Sequence, residues 1–461
     1  MKVYSKTEGV FMFKKVKAIL TIIFIIVLLG QSPSITGINQ LEGVEEYINF
    51  YTYMGNNERN AFSENIEISL PIESKWSREI GLDPELLPYY PYEQWPIMSK
   101  EFLYITVGRG ILRINKSSGI YSYNELDYIS NYPLTTSLTY SQNERLLFVP
   151  CYCFDQTEGH IDIFCEKYLI EKRKIVGYRP YNAGIPVVID DYFLVWHTFD
   201  DEKCELVKFN IANDKTETIF TLDLNEYPLF LTVPDSSDKI IITTAMEDTS
   251  KKEKTYISKY ILKCIDLKSK KLLWSHEIDN EEGYVYLPPD SPFISGSNII
   301  IGLKRGSGDL KLEIISINIS TGEILWKKEF RDHKAAIPNF SSCATDNTLY
   351  ISGTFGNSNK VFSIDAETGK TKMEISLPTD SSCQITGSKN YIVHSSYNPA
   401  KLSFINCTTG EIEFEYNFDD NFRLASPIIF DEDGLYVFLT KKTDKLFIEK
   451  LFVEKLGPAK F

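Results

Sequence analysis

The sequence predicts an all-β fold, an eight-bladed β-propeller whose blades are four-stranded antiparallel sheets. Three observations point to this fold class: a hairpin motif that recurs at regular spacing, an apolar strand that precedes each copy, and a high aromatic content. Aromatic residues make up 13% of the 461 residues, and strands accommodate them better than helices do. A ring of seven blades is the alternative that the repeat count leaves open.

The first repeated element is a hairpin, and its clearest copy spans residues 316–326. Two short apolar runs flank a Ser-Thr-Gly turn, and the second run ends in Trp326. Asn318 can hydrogen-bond the backbone across the bend, and Gly322 can adopt the positive φ that tight hairpin turns require. The motif therefore predicts the hairpin that completes each blade.

Related copies of this hairpin recur along the chain. They place Asn or Asp at Asn115, Asp266, Asp365 and Asn406, Gly at Gly119, Gly369 and Gly410, and an aromatic residue at Tyr123, Trp274 and Phe414. Degenerate copies without the Gly begin at Cys165 and Asn210. The seven starts, Asn318 included, are 41 to 56 residues apart, which is the spacing of a repeat built from four short strands.

The second repeated element is an apolar strand that precedes each hairpin. Eight such runs occur, at residues 102–107, 146–150, 192–198, 239–244, 298–303, 348–352, 391–395 and 435–440. One unit cannot bury both faces of its small sheet, so the units must stack on one another. Closing the stack into a ring removes the exposed end faces, which favours a propeller over a solenoid.

The eighth unit lacks a convincing turn and outer strand. Residues 65–70 alternate between apolar and polar side chains, as a half-buried strand does, so we expect them to supply that outer strand and close the ring. Residues 71–95, rich in Trp, Tyr and Pro, are expected to form an ordered loop because Pro interrupts helices and sheet ladders. The predicted propeller covers residues 65–461, with the repeats at 96–455, and residues 38–64 form a linker with a short helix.

The N-terminal residues have the pattern of an export signal. A basic stretch at residues 14–17 precedes a continuous apolar run at residues 18–29, in the proportions of a signal-peptide core. A membrane-spanning helix usually needs about 17 to 25 apolar residues, so this run is short for a permanent anchor. We expect residues 1–37 to be a cleaved signal peptide, with an uncleaved membrane anchor as the alternative. Either form places the protein outside the cytoplasm, secreted or in the cell envelope.

The hairpin motif carries a family resemblance. Residues 316–326 resemble the tryptophan-docking repeat of pyrroloquinoline-quinone (PQQ)-type propellers, whose pattern is Ala-x-Asp-x-x-Thr-Gly-x-x-x-Trp. The repeat at Asp365 and Gly369 matches as well, although Met373 replaces its aromatic residue. The resemblance covers about residues 96–455. The family includes quinoprotein dehydrogenases, the propeller lipoprotein of the barrel-assembly machinery, and exported proteins that bind no cofactor.

The resemblance also implies a structural role for the aromatic residue of each repeat. In the family this Trp stacks against the neighbouring blade, which assigns blade docking to Trp274 and Trp326. Tyr123 and Phe414 are partial substitutes in their repeats. The Asn or Asp and the Gly of each turn are the other docking residues that the motif implies.

Bound quinone is not supported by the residues. The resemblance implies that a quinoprotein dehydrogenase carries a catalytic Asp, Ca²⁺ held by carboxylate and amide oxygens, and commonly a disulfide between adjacent cysteines. None of the eight cysteines is adjacent to another, and no Asp aligns with the catalytic one. We therefore assign no catalytic, cofactor-binding or metal-binding residue and expect neither PQQ nor calcium.

The cysteines are scattered along the chain rather than spaced as paired metal ligands. Folding the hairpin about residues 155–160 places Cys151 roughly opposite Cys165. In an exported protein the two could form a cross-strand disulfide. Buried free thiols are the leading interpretation, with the disulfide, and then a metal site at Cys151, Cys153 and His160, as the alternatives.

The charge of the chain limits its partners. A net charge of −14 repels nucleic acid phosphates and anionic lipid. We expect a non-enzymatic, exported scaffold that binds a protein or another envelope component through loops at the ends of the channel, with membrane contact only through the N-terminal segment. The alternatives are a PQQ-dependent quinoprotein, a polysaccharide-acting enzyme and a membrane-tethered ligand sensor.

Overall fold

The computed structural model describes most of the chain from residue 61 onward. The described residues are 61–81, 96–107, 110–126, 138–141, 143–151, 159–166, 169–178, 187–199, 203–213, 215–223, 225–234, 238–248, 256–280, 285–286, 292–305, 311–330, 341–355, 358–377, 383–397, 399–441 and 450–459. All of them belong to one compact unit, Tyr47–Phe461. The predicted leader and the predicted linker helix lie outside the described residues, which contain no helix long and apolar enough to cross a membrane.

Two N-terminal strands precede the repeats, and four strands then build each of the first four blades. The N-terminal strands are β1 (Phe62–Ser63) and β2 (Ile72–Ile80). Blade 1 has β3 (Ile97–Met98), β4 (Phe102–Val107), β5 (Gly110–Asn115) and β6 (Tyr121–Glu125), and blade 2 has β7 (Thr139–Ser141), β8 (Leu146–Cys151), β9 (Gly159–Cys165) and β10 (Ile170–Tyr178). Blade 3 has β11 (Val187–Ile189), β12 (Tyr192–Phe199), β13 (Lys203–Asn210) and β14 (Thr216–Thr221), and blade 4 has β15 (Glu226–Thr232), β16 (Lys239–Asp248), β17 (Tyr256–Asp266) and β18 (Lys271–Asp279).

The remaining blades follow the same plan, with one extra strand in blades 5 and 8. Blade 5 has β19 (Val285–Tyr286), β20 (Phe293–Ser295), β21 (Asn298–Arg305), β22 (Lys311–Asn318) and β23 (Ile324–Phe330), and blade 6 has β24 (Ser341–Ala344), β25 (Thr348–Phe355), β26 (Ser358–Asp365) and β27 (Thr371–Leu377). Blade 7 has β28 (Cys383–Ser388), β29 (Tyr391–Ser396), β30 (Lys401–Asn406) and β31 (Ile412–Asn417), and blade 8 has β32 (Phe422–Leu424), β33 (Ile429–Asp431), β34 (Gly434–Lys441) and β35 (Leu451–Pro458).

Eight separate sheets form the eight blades. In six blades the repeat strands pair in chain order from the innermost to the outermost position, and these neighbours are antiparallel. In blade 5 both β19 and β20 pair with β21, and in blade 8 both β32 and β33 pair with β34. Each of the eight apolar runs predicted as a second strand is a second strand. The eight-bladed, all-β prediction is therefore confirmed, and the alternative of seven blades is wrong.

The outer strand of the last blade comes from the N-terminus. β2 pairs antiparallel with β35, from Ile72 opposite Pro458 to Ile80 opposite Leu451. The prediction that an N-terminal strand completes blade 8 is confirmed, but its placement at residues 65–70 is wrong. The expected loop at 71–95 is wrong for residues 72–80, and residues 82–95 lie outside the described residues. Only Ile72 and Ile80 of β2 are buried, because an outer strand faces solvent, so its sequence shows no alternation.

The hydrophobic core lies in the seams between blades. One buried cluster fills each of the five seams from blades 1/2 to blades 5/6. The seams 6/7, 7/8 and 8/1 share a single larger cluster, which also contains Phe62, Ile66, Ile68, Ile72 and Ile80. The N-terminal segment is thus part of the core on the side where the ring closes.

Candidate functional site

The predicted hairpin turns form as the motif requires. The side-chain Oδ1 of Asn318 accepts hydrogen bonds from the backbone N–H groups of Ser320 at 2.8 Å and Thr321 at 3.0 Å. Gly322 has φ 75° and donates its N–H to the Asn318 carbonyl at 2.8 Å. Asn115, Asp266, Asp365 and Asn406 accept corresponding backbone N–H bonds, and Gly119, Gly369 and Gly410 have φ of 70° to 74°.

The degenerate copies use other residues in the same geometry. Asn210 accepts backbone N–H bonds from Ala212 and Asn213, each at 3.1 Å. Leu169 and Lys270 stand where the other turns have Gly and adopt positive φ of 48° and 57°. The turn is therefore held mainly by the Asn or Asp cap, while Gly removes the cost of the left-handed backbone.

Trp274 and Trp326 dock onto the next blade, as the resemblance implied. The Trp274 indole N–H donates to the Ile319 carbonyl at 2.9 Å, and the Trp326 indole N–H donates to the Ala366 carbonyl at 3.0 Å. Each ring lies flat against the turn glycine, so that a Cβ added to Gly322 or Gly369 would come within 2.7 Å of it. The carbonyl acceptor in both seams is the residue that follows the Asn or Asp of the turn.

A third docking residue, Trp76, was missed in the sequence. Its indole N–H donates to the Lys116 carbonyl at 3.1 Å, and its ring covers Gly119. Trp76 therefore docks the last blade onto the first. No turn motif precedes it because the outer strand of blade 8 is supplied from the other end of the chain. The one available signal was Lys75-Trp76-Ser77, which repeats the Trp-Ser pair of residues 274–275.

The partial substitutes Tyr123 and Phe414 behave differently from Trp. Tyr123 donates its hydroxyl to the Val107 carbonyl at 3.0 Å within its own blade. Phe414 packs against Phe404 of its own blade, with ring centroids 5.9 Å apart and the ring planes tilted by 56°. Blade 8 offers Phe414 no turn to dock on, since β35 is not joined by a hairpin to its outer strand. Blade 7 instead contacts blade 8 through Tyr416, which donates its hydroxyl to Glu454 at 3.2 Å.

The candidate disulfide is contradicted by the strand register. Cys151 and Cys165 do lie on neighbouring antiparallel strands of blade 2, but Cys151 is opposite His160 and Cys165 is opposite Leu146. Five residue positions separate the two along the ladder, or about 16 Å at ~3.3 Å per residue. A disulfide needs Cα atoms within about 7 Å. The hairpin bends earlier than the sequence suggested, and Cys165 is a free thiol.

The closing seam also contains a nearly buried ion pair. The Lys116 ammonium group of blade 1 contacts the Asp431 carboxylate of blade 8, with side-chain exposures of 8% and 15%, and it donates to the Ser99 carbonyl at 3.1 Å. Asp431 begins an acidic turn, Asp-Glu-Asp-Gly, at residues 431–434. The turn is held by the Asp433 N–H, which donates to Asp431 at 2.9 Å. Asp431 therefore works as a turn cap and as a partner of Lys116.

The axial side of blade 7 carries a short segment of the N-terminus. β1 pairs in parallel with the innermost strand β28, with Phe62 opposite Gly387. The Phe62 ring covers Gly387 so closely that an added Cβ would lie 1.9 Å from it. The next residues continue along the turn of blade 7, where Asn390 exchanges two hydrogen bonds of 2.9 and 3.0 Å with the backbone of Ile68. We call residues 61–68 the axial segment.

The axial segment lies at the end of the channel that carries the tight turns. Because β28 is the innermost strand of its blade, a strand on its free side lies on the channel side of the ring. The pairing falls at the last residues of β28, next to the β28–β29 turn. Ala61, Phe62 and Ser63 are buried. The chain therefore fills part of its own channel at this end.

We assign no ligand set for PQQ-bound Ca²⁺ among the described residues. Holding the metal would need several convergent oxygen ligands, and within the described ranges no group of three His, Cys, Asp or Glu side chains is placed to bind a metal ion. At the tight-turn end of the channel, Phe62 of the axial segment covers Gly387. No redox step is therefore derived for this chain.

Comparisons with known proteins agree with this architecture. A family model described as outer membrane protein assembly factor BamB matches residues 261–387, from β17 of blade 4 to β28 of blade 7. An uncharacterized protein of Rickettsia conorii (strain ATCC VR-613 / Malish 7) is 24% identical over 139 residues, which cover 28% of this chain and 31% of the relative. The match therefore spans about a third of the length of that curated relative.

Solved structures of quinoproteins share the fold. The quinohemoprotein alcohol dehydrogenase of Pseudomonas putida HK5 superposes with a TM-score of 0.59 at 10% identity, covering 90% of this chain and 81% of that one. The corresponding enzyme of Comamonas testosteroni gives 0.59 at 8% identity, with 90% and 82% coverage. A europium-containing methanol dehydrogenase gives 0.57 at 10% identity, with 88% and 98% coverage. Identities this low establish the fold alone, so the chain shares with these enzymes the fold of an eight-bladed β-propeller.

Proposed function

We propose that the chain is an exported, non-enzymatic propeller that binds a protein or another envelope component through the loops at one end of its ring. The observation that carries the proposal is the difference between the two ends. At one end the strands are joined by tight capped turns, and the axial segment packs against blade 7. A rigid ring whose channel is partly filled at one end leaves the other end for recognition.

Several connections at the other end are longer. They span residues 126–138, 152–158, 249–255, 331–340 and 442–450, each lying between consecutive strands. Long connections on a rigid scaffold are where binding residues concentrate. The family match over residues 261–387 supports the same proposal, because its description is that of an assembly factor of the outer membrane.

A quinoprotein dehydrogenase is the alternative that the structural neighbours favour, since those with TM-scores of 0.57 to 0.59 are dehydrogenases by name. A shared fold does not carry their activity over to this chain. The polysaccharide-acting enzyme and the tethered sensor have no described residue in their favour.

Titration of the purified full chain with PQQ and Ca²⁺ tests the proposal against its alternative. We expect no saturable change in quinone absorption at micromolar protein and no dye-linked oxidation of alcohols. Saturable binding would overturn the non-enzymatic assignment. N-terminal sequencing of the mature protein, which we expect to start after residue 37, tests export by a cleaved leader.

Affinity capture from the cell envelope tests whether the loops at this end of the ring bind the partner. The comparison is a variant whose 331–340 connection is replaced by a Gly-Ser linker. We expect a discrete partner that the unmodified chain retains and the loop variant loses. The loop replacement should leave the thermal unfolding of the ring unchanged, because the described core of this seam is built from strand residues on either side of that connection. Equal capture by both forms would contradict recognition through these loops.

A further inference from the structure

Four exposed aliphatic side chains lie on the outer strands of two neighbouring blades. Leu272 and Leu273 belong to β18 of blade 4, and Ile324 and Leu325 begin β23 of blade 5. Their exposed fractions are 36% to 46%. Among the described residues, Ile120 is the other large hydrophobic side chain exposed to this extent. We call Leu272, Leu273, Ile324 and Leu325 the aliphatic rim patch.

Packing within the chain does not account for the leucines of this patch. Leu273 and Leu325 occupy a β-bulge directly before the docking Trp. The same bulge position holds Lys75 in blade 8, Lys372 in blade 6 and Glu413 in blade 7, all exposed. The fold therefore accepts a charged residue at this position. Exposed leucine on two adjacent blades marks a surface for contact with another molecule.

The two halves of the patch are joined across the seam. The Trp274 ring of blade 4 lies against Gly322 of blade 5, two residues before Ile324. Further along the seam, the pKa of His276 in blade 4 is lowered by burial and by the positive charge of Lys327 in blade 5. The two outer strands therefore present one continuous surface with a positive charge on it.

The charges around the patch define the partner. Lys271 and Lys327 are exposed, and neither contacts a carboxylate within the described part of the chain, whereas Lys268 and Lys270 nearby are paired with Asp238 and Glu217. Two lysines without a carboxylate partner among the described residues thus stand beside the aliphatic surface. They match a ligand that combines apolar side chains with negative charge.

We propose that the aliphatic rim patch docks a segment of a partner protein whose aliphatic side chains are flanked by Asp or Glu. A second copy of this chain fits less well, because symmetric contact of the patches brings Lys271 and Lys327 against the same lysines. An anionic bilayer fits less well because the net charge of −14 repels it. The unpaired edges of β18 and β23 offer backbone groups to an extended segment. The surface is separate from the loop-bearing end of the ring.

Site-specific photocrosslinking in the cells that produce the protein tests the proposal. A photoreactive amino acid replaces Leu273 in the full chain, and in a matched control it replaces Lys372 at the equivalent position of blade 6. We expect a protein adduct from position 273 about tenfold stronger than from position 372, because apolar and charge contacts act together there. Mass spectrometry should place the adduct in an aliphatic segment with Asp or Glu beside it.

Two variants carrying the probe at position 273 complete the test. Lys271→Glu with Lys327→Glu should reduce the adduct about tenfold by charge repulsion. Leu325→Lys should reduce it as well, while the melting temperature stays unchanged, since Lys75 and Lys372 occupy that position in other blades. An adduct to lipid, to a second copy, or to a segment without carboxylates would overturn the proposal. So would equal adducts at both positions, no adduct, or a lowered melting temperature of Leu325→Lys.

Discussion

A single docking residue joins two blades by two contacts at once. The indole of Trp326 packs its face on Gly369 and donates its N–H to the Ala366 carbonyl at 3.0 Å. The ring contributes buried area, and the hydrogen bond fixes the register of one blade against the next. Trp274 and Trp76 repeat both contacts in their seams. The motif is therefore a device for assembling blades and not a site of chemistry.

Substitution of Trp326 measures how much its docking contributes to the free energy of unfolding. We expect Trp326→Ala to lower the free energy of unfolding by about 3 kcal/mol, since it leaves a cavity in the seam. Trp326→Phe keeps most of the packing but loses the hydrogen bond, at a cost of about 1 kcal/mol. Urea unfolding gives both values. The control Lys327→Ala, next along the strand and exposed, should cost less than about 0.5 kcal/mol, and an equal cost for all three variants would show that Trp326 does not dock.

The buried His394 makes stability depend on pH. It is 1% exposed in the seam between blades 6 and 7, and neither ring nitrogen has a hydrogen-bond partner among the described residues. Burial lowers its pKa to about 3, whereas the unfolded residue titrates near 6.5. As the pH falls below about 6.5 the unfolded state takes up a proton that the folded state does not. The stability associated with neutral His394 is therefore lost progressively between about pH 6.5 and pH 3.

Replacing His394 should make the free energy of unfolding depend less on pH below about pH 6.5. Between pH 8 and pH 5, the free energy of unfolding of the wild-type chain should fall by about 2 kcal/mol because of His394. In His394→Phe, the fall over the same pH range should be smaller by this amount. Urea unfolding at the two pH values gives the comparison. Trp326→Phe serves as the control, because it destabilises without titrating and should shift both values equally. A His394→Phe curve parallel to the wild type would show that the residue is not buried neutral.

At the level of elements, two strands from the N-terminus hold the ring at different radii. β1 pairs with the innermost strand of blade 7, and β2 forms the outermost strand of blade 8. Between them, Asn390 holds the backbone of Ile68, and Lys389 pairs with Glu67. The segment from 61 to 80 therefore crosses from the channel to the rim at the tight-turn end. This crossing explains why three seams share one hydrophobic cluster.

The contact between Phe62 and Gly387 tests the axial segment. Gly387→Ala should destabilise the chain by about 1 to 3 kcal/mol, because the new Cβ overlaps the ring. Phe62→Ala removes the ring, so the double variant should recover the loss caused by the new methyl group. A double-mutant cycle from urea unfolding measures this coupling. Additive effects of the two substitutions would contradict the placement of β1 against β28.

An engineered disulfide tests the register of β2. Ser77 lies opposite Glu454, so Ser77→Cys with Glu454→Cys should form a bridge on mild oxidation. Because the bridge would join distant parts of the chain, it should stabilise the ring by up to about 6 kcal/mol. The control pairs Ser77→Cys with Phe452→Cys, two positions out of register. Peptide mapping without reductant identifies the bridge, and bridging only in the control pair would show that the register is shifted.

The elements that the sequence predicted correctly are those with a local signal. The second strands are recognisable in the sequence as apolar runs, because both of their faces are buried. The turns are recognisable by the spacing of Asn and Gly, as in Asn318 and Gly322. β2 had no such signal, since its residues between Ile72 and Ile80 are exposed or half-buried. The predicted pairing of Cys151 with Cys165 was wrong because it depended on the position of the hairpin bend. The residue types between 152 and 158 do not determine that position. Trp76 was missed because its turn lies at the other end of the chain.

At the scale of the whole molecule, stability depends on joining blade 8 to blade 1. Three kinds of contact do so: β2 in the sheet of blade 8, Trp76 on the turn of blade 1, and the ion pair between Lys116 and Asp431. The first two contacts have counterparts elsewhere in the ring. The ion pair lies in nearly buried surroundings, where an unpaired charge is costly, whereas the described pair between blades 3 and 4, Lys270 with Glu217, is exposed.

The ion pair should show the asymmetry of a buried pair. Lys116→Met leaves the Asp431 carboxylate without its partner in the seam, so we expect a loss of about 3 kcal/mol in urea unfolding. Combining it with Asp431→Leu removes the second charge as well, and the double variant should recover most of that loss. The exposed pair Lys268 and Asp238 is the control, and Lys268→Met should cost less than about 0.5 kcal/mol. If Lys116→Met proved as mild as Lys268→Met, the closing seam would be open to water and β2 and Trp76 alone would hold the ring shut.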